Sequence, residues 1–262
     1  MKFNFKKKYG QNFISDENLI DSIIKDSGID ENSFVIEIGA GAGILTKKLA
    51  KIAKQVTSFE IDEELRVFLD KLEQENNNLK IIYGDFMTAD VKKIVNGKNF
   101  DVVANLPYYI TTAIILKLLP LKPKTITIMV QNEVADRLCA KPKTKEYGAM
   151  SVLCQSVCEV IKTRIVKRTM FFPVPEVDSA VVKLTSNGNE FDEGFSKFIY
   201  NCFMHKRKTL SNNLSSAYKI NKTDAANLIK EIGAKESVRA EELSVDELKN
   251  LYKLSFKILK AN

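Results

Sequence analysis

Through the first two-thirds of the chain, short runs rich in β-branched and aromatic residues alternate with longer stretches whose apolar positions recur every three to four residues. The short runs predict strands at 34–38, 56–60, 79–83, 100–104 and 125–130, and the longer ones helices at 45–53, 63–74, 111–119 and 132–139. Repeated strand-helix units of this kind require a parallel sheet with helices on both faces. A helix at 147–158 follows, then two strands at 161–166 and 180–184, suited to antiparallel pairing at the edge of the sheet. Beyond Ser186-Asn187-Gly188-Asn189, a polar turn-forming stretch, the pattern is helical only, at 191–204, 209–218, 223–232 and 245–259. Ser244 and Glu247 have the spacing of a capping box at the last of these. The expected organisation is an α/β domain over 1–186 and a small all-α domain over 187–262.

With 262 residues, 45% hydrophobic and 28% charged, the chain has the composition of a globular protein. Its longest apolar stretches, such as 113–119, are interrupted by Lys117 and fall far short of the roughly 20 residues that span a bilayer. Lys6, Lys7 and Lys8 are followed by acidic residues and not by an apolar run, which fits no secretory signal. Cys139, Cys154, Cys158 and Cys202 form no CxxC pair and read as reduced core residues, so neither a disulfide nor a metal site is expected. A cytoplasmic protein is the resulting expectation.

The net charge of +7 is unevenly spread. Residues 137–168 carry a local +6 and residues 203–222 a local +5 with no acidic side chain, whereas 30–136 come to −2. Two basic blocks beside a near-neutral first half suit a polyanionic partner, the acid-free His205-Lys206-Arg207-Lys208 most of all.

Glu37-Ile38-Gly39-Ala40-Gly41-Ala42-Gly43 closes a predicted strand and opens a helix, where glycines let backbone approach a ligand. A dinucleotide fingerprint needs G-x-G-x-x-G; here position 44 is Ile, and Glu37 would oppose a pyrophosphate while suiting a ligand with a cationic end. Glu60 ends the second strand, where its carboxylate can accept the hydroxyls of a ribose. Asp85 follows the third and can accept an adenine amine. Glycine loop, Glu60 and Asp85 in this order point to S-adenosylmethionine (SAM).

Asn105-Leu106-Pro107-Tyr108 follows the fourth strand. Adenine N6 is a poor nucleophile because its lone pair is delocalised into the ring. An Asn105 side-chain carbonyl and a backbone carbonyl of Leu106 or Pro107 can accept its two hydrogens and localise that lone pair, while Tyr108 stacks on the base. Proline fixes the turn without adding a donor, and positioning in a dry site supplies most of the rate enhancement.

With Tyr9-Gly10-Gln11-Asn12-Phe13, the glycine loop, Gly84-Asp85, Asn105-Leu106-Pro107-Tyr108, Gln131-Asn132-Glu133-Val134, Tyr147-Gly148 and the run from Phe171 to Val182, the chain resembles the small-subunit ribosomal RNA adenine N6,N6-dimethyltransferases of the KsgA type from about Lys7 to Leu259. The resemblance implies a Rossmann-like class I SAM-dependent methyltransferase fold. It also implies dimethylation of two adjacent adenosines near the 3′ end of 16S rRNA in the small ribosomal subunit; a monomer is expected. Asn12 and Ile14 would close over SAM, Gly39 would touch its methionine part, Glu60 the ribose and Asp85 the adenine. Asn105 would orient the target amine, and Tyr108 and Phe171 would stack on the flipped base. The basic stretch from His205 would grip the RNA backbone.

Ile14 stands where the family usually has leucine, Ala40 where it often has proline, and Glu176 where it often has lysine. A large-subunit rRNA methyltransferase shares the glycine loop and the Asn-Leu-Pro-Tyr type of motif; Tyr147-Gly148 and Asp178-Ser179-Ala180 favour the small-subunit branch. A role in ribosome assembly is not separable from the enzymatic one by sequence.

Overall fold

The computed structural model describes residues 13, 14 and 16–259, with side chains as far as Phe256. A two-residue strand, β1 (Phe13–Ile14), leads into helix α1 (Glu17–Ser27). Asp16 caps α1 by accepting from the backbone N–H of Asn18 and Leu19, Gly28 ends it in the left-handed conformation, and Leu19, Ile20, Ile23 and Ile24 form its buried face. Neither element is among those predicted.

The predicted alternation then unfolds as β2 (Phe34–Ile38), α2 (Ile44–Ile52), β3 (Gln55–Glu60), α3 (Arg66–Glu75), β4 (Leu79–Tyr83), α4 (Val91–Val95), β5 (Asp101–Asn105), α5 (Thr111–Leu118), β6 (Thr125–Gln131) and α6 (Asn132–Cys139). After α7 (Ala149–Val157) come β7 (Cys158–Val166), β8 (Phe171–Phe172) and β9 (Ser179–Ser186). Seven strands form one sheet in the order β4-β3-β2-β5-β6-β9-β7. The five from β4 to β6 run parallel, and β9 lies antiparallel to β6. Helices cover both faces of a parallel sheet, so its central strands are apolar nearly throughout: Val102, Val103, Ile126, Ile128 and Val130 have no exposed surface. β1 and β8 make a separate antiparallel pair that sets Phe13 opposite Phe172 and Ile14 opposite Phe171.

By its contacts the chain divides into two units. One holds the described residues up to Ala135 together with Glu159–Asn187, the other Asp136–Cys158 together with the described residues from Gly188 onward. The units change at 187/188, one residue from the 186/187 boundary expected from sequence, and at two further places, because 136–158 groups with the helical unit. α7 is apolar almost all round and is bonded into that unit. Gln155 donates to the carbonyls of Leu138 and Ala140, and Ser156 O accepts from both Asn189 and Lys249. The rest of the unit is α8 (Glu193–Cys202), α9 (Leu210–Tyr218), α10 (Lys222–Glu231) and α11 (Val245–Leu259) around Phe198, Ile199, Leu214, Ile229 and Leu248. Ser244 and Glu247 form the expected reciprocal cap of α11. No described helix is long and apolar enough to cross a membrane.

Candidate active site

Parallel pairing brings the carboxyl ends of β2, β3, β4 and β5 to one rim, with Ile38 beside Phe59 and Ala104, and Glu60 beside Tyr83. A crevice at that rim is the general ligand position of such sheets. Here it is a cleft open to solvent. Its floor is the loop from Gly39 to Ala42; Glu60 and Ile61 form one wall and Asn105, Leu106 and Pro107 another, and Phe13, Ile14 and Ile20 close it from the amino-terminal side.

The loop is held by its own backbone. Phe59 O accepts from the N–H of Gly39 and of Ala40, at 2.8 and 3.0 Å, and Gly43 N–H turns back to Ala40 O at 2.9 Å. Gly41 has φ +56°, and a Cβ there would lie 2.8 Å from the Phe13 ring, so the position is restricted both in backbone and in space. A Cβ on Gly39 would point to Asn105 O at 3.7 Å, which measures how closely the loop approaches the end of β5.

Glu60 is 4% exposed. Its Oε2 accepts from Gly41 N–H at 2.7 Å and its Oε1 from Asp62 N–H at 2.8 Å, so one carboxylate fixes both the glycine loop and its own turn. Burial pushes its carboxyl above the ordinary range despite these bonds. The carboxylate keeps acceptor capacity beyond these backbone donors.

Asn105 ends β5 opposite Met129, and Leu106 N–H donates to Met129 O. Pro107 O accepts from Ile110 N–H and from the Thr111 hydroxyl at the start of α5. Tyr108 is half-buried, its hydroxyl 2.6 Å from that of the fully buried Ser179 at the start of β9, and burial raises its pKa.

Of the residues singled out in the sequence, Ile14, Gly39, Glu60, Asn105, Leu106 and Pro107 line the cleft. Asn12 lies outside the described residues. Asp85 stands on the same rim beyond β4, tied to it by the bond of Gly84 N–H to Glu60 O, but is exposed, outside the lining, and uses Oδ1 to cap Met87 N–H. Tyr108 also lies outside the lining.

Two of the residues singled out are seated inward. Phe171 is 2% exposed and belongs to the core with Ile14, Met129 and Val181, whereas Phe172, the next residue on a strand, points the other way and is 59% exposed. Glu37 does not face a ligand. It is wholly buried between β2, β3 and α2, its Oε2 accepting from the hydroxyls of Thr46 and Ser58 while Oε1 has no partner among the described residues. Desolvation raises its pKa to about 7. Ile44 and Ile61, apolar and partly exposed at the cleft, were missed; the one signal for Ile61 is its place directly after a strand-ending carboxylate. Among the described residues no group of His, Cys, Asp or Glu side chains could hold a metal ion.

A family model described as ribosomal RNA adenine dimethylase matches residues 2–257. The chain belongs to that family. Its relatives include proteins named ribosomal RNA small subunit methyltransferase A. The one from Bacillus pumilus is 46% identical over 81% of this chain and 77% of its own length; that from Aster yellows witches'-broom phytoplasma is 40% identical over 94% of both. Among solved structures, a dimethyladenosine transferase from Plasmodium falciparum superposes with a TM-score of 0.80 at 27% identity, over 95% of this chain and 98% of its own. The 23S rRNA methyltransferase ErmE does so with 0.71 at 26%, over 93% and 99%. The family's class I SAM-dependent methyltransferase fold, with a helical carboxyl-terminal region, is therefore the fold of this chain.

Proposed function

We propose that this protein dimethylates N6 of two adjacent adenosines near the 3′ end of 16S rRNA, with SAM as methyl donor and the small ribosomal subunit as substrate, acting in the cytoplasm as a monomer. The observation that carries the reading is the meeting of the glycine loop and Glu60 with Asn105-Leu106-Pro107 in one cleft. The residues fit the donor. The bare backbone of Gly39 and Gly41 admits a ligand at close range, Glu60 offers acceptors to a sugar diol, and Asp85, next along the rim, an acceptor to the purine amine.

Once bound, SAM supplies a methyl group made electrophilic by its sulfonium. The chain supplies orientation. The Asn105 side chain accepts one hydrogen of the target amine, and because Pro107 O is already engaged by Ile110 and Thr111, the second acceptor is Leu106 O. Tyr108, held by Ser179, and the exposed Phe172 are the rings available to a base drawn out of its stack.

In the helical unit, the side chain of Lys206 donates to Lys145 O at 2.8 Å and the rings of Tyr147 and Phe203 meet edge to face, which joins the basic stretches at 141–145 and 205–208. Lys141, Lys143, Lys145, Lys206, Arg207 and Lys208 are all exposed there, as phosphate contacts must be.

Incubation with labelled SAM and under-methylated small subunits, followed by nucleoside analysis, tests the proposal. N6,N6-dimethyladenosine should appear in 16S rRNA and not in naked large-subunit RNA. Its absence with a folded, SAM-binding protein refutes the reading, and label in the large-subunit RNA alone reassigns the substrate.

A further inference from the structure

Lys117, near the end of α5, takes part in no step described above, yet its ammonium is engaged on three sides. It donates to Met87 O at 2.7 Å and to Ala89 O at 2.8 Å, and lies 5.4 Å from the centre of the Phe86 ring. All three partners belong to the turn that Asp85 begins. Asp85 caps that turn through Met87 N–H, and its own carbonyl accepts from the Thr88 hydroxyl. Phe86 is buried edge-on against Phe59 at 5.1 Å, and Phe59 O is the acceptor that holds Gly39 and Ala40. At its other end α5 binds Pro107 O through Thr111 and Ile110.

We propose that Lys117 is a positioning residue for the methyl donor: by pinning the carbonyls of Met87 and Ala89 it fixes the 85–89 turn and so aims the Asp85 carboxylate at the donor's purine, from a helix that also anchors the target-base turn. The inference rests on the donor site proposed above. Two carbonyls of a short turn facing one cation are drawn to a common direction; a charged donor makes the stronger kind of hydrogen bond, and one ammonium serves both acceptors. An exposed carboxylate such as Asp85 otherwise gains little from binding, because ordering it must then be charged against the contact.

The test is a double-mutant cycle on SAM affinity, measured by calorimetry on the full-length protein with Lys117→Met, Asp85→Asn and the pair. Lys117→Met should weaken SAM about tenfold, raise KM for SAM by a similar factor, and leave kcat at saturating SAM within about twofold. Combined with Asp85→Asn it should add almost nothing, since both changes remove the same contact, and Lys117→Arg should restore most of the affinity. Unchanged SAM affinity in a folded Lys117→Met protein overturns the proposal, as does full additivity with Asp85→Asn. If Asp85→Asn alone leaves SAM binding intact while Gly41→Ala weakens it, Asp85 is not a donor contact and Lys117 does not act through it, although the cleft still holds SAM. Loss of SAM binding in neither variant sinks the donor site itself. Should Lys117→Met melt too low to measure, Lys117→Gln, which keeps a neutral donor, is read in the same way.

Discussion

Replacing Glu37 by glutamine should stabilise this protein at neutral pH and flatten its response to acid. The carboxyl lies wholly buried, with Oε2 serving two hydroxyls and Oε1 serving none among the described residues, and its pKa stands at about 7 against an ordinary 4.5. At about 1.4 kcal/mol per tenfold in proton affinity, the folded state prefers the protonated form by about 3 kcal/mol more than the unfolded chain does. That preference contributes in full below pH 4.5 and is lost as pH rises through 7. Glutamine is neutral throughout and of equal shape, and the Thr46 and Ser58 hydroxyls can rotate to meet its amide. Urea unfolding of parent and Glu37→Gln from pH 4.5 to 8.5 should therefore show the variant gaining on the parent by about 3 kcal/mol, most of it between pH 5 and 7.5. Titrating groups that do not interact with Glu37 are common to both proteins and cancel in the difference; Glu60, whose charge helps to raise the Glu37 pKa, is the exception. Parallel stability curves would refute the account of a carboxyl kept neutral by burial.

Other outcomes follow from the site. Asn105→Ala should abolish dimethyladenosine formation while small-subunit binding, measured by co-sedimentation, stays within about threefold; equal loss of both would remove the distinction between chemistry and docking. Gly41→Ala forces a side chain into φ +56° and against Phe13, and calorimetry should find SAM at least about tenfold weaker. Phe171→Ala should lower unfolding free energy by about 3–5 kcal/mol, the usual result of emptying a buried ring site. Phe172→Ala should change stability by less than about 0.5 kcal/mol and lower kcat, and the reverse pattern would restore Phe171 as the stacking ring. Arg164 clasps Asp26 of α1 with two bonds of 2.6 and 2.7 Å, which holds that carboxyl below its usual range. Arg164→Met should cost about 1 kcal/mol at pH 7 by thermal melting, and less as pH falls below 4 and the carboxylate is protonated in both states.

The β2 to β6 units were legible because each strand of a doubly covered sheet must be apolar along its length and each intervening helix along one face. α1 carries its own cap, face and stop in Asp16, the paired Leu19-Ile20 and Ile23-Ile24, and Gly28, but it precedes the first predicted strand and so lies outside the strand-helix alternation that marks those units. β1 and β8, two residues each, leave no periodicity to detect. Within the site, the resemblance named Phe171, but which of two adjacent rings turns inward depends on the register of β8 against β1. The place of Glu37 before the glycines says nothing of side; strand alternation sends it to Ser58 and Thr46. The grouping of 136–158 with the helical unit rests on long-range bonds to Asn189 and Lys249 that no local pattern announces.

In the donor site proposed above, the bond from Gly41 N–H to Glu60 makes one carboxylate both clasp and contact. Sugar recognition and loop shape are therefore thermodynamically linked: a ligand that borrows the lone pairs of Glu60 does so from an oxygen already steadying the peptide beneath it. Exchanging Glu60 for glutamine would turn an amide toward an N–H and loosen the cradle as well as the diol contact. The measured penalty on donor affinity would exceed that of a lost alcohol interaction, and only donors trimmed of their hydroxyls would apportion it.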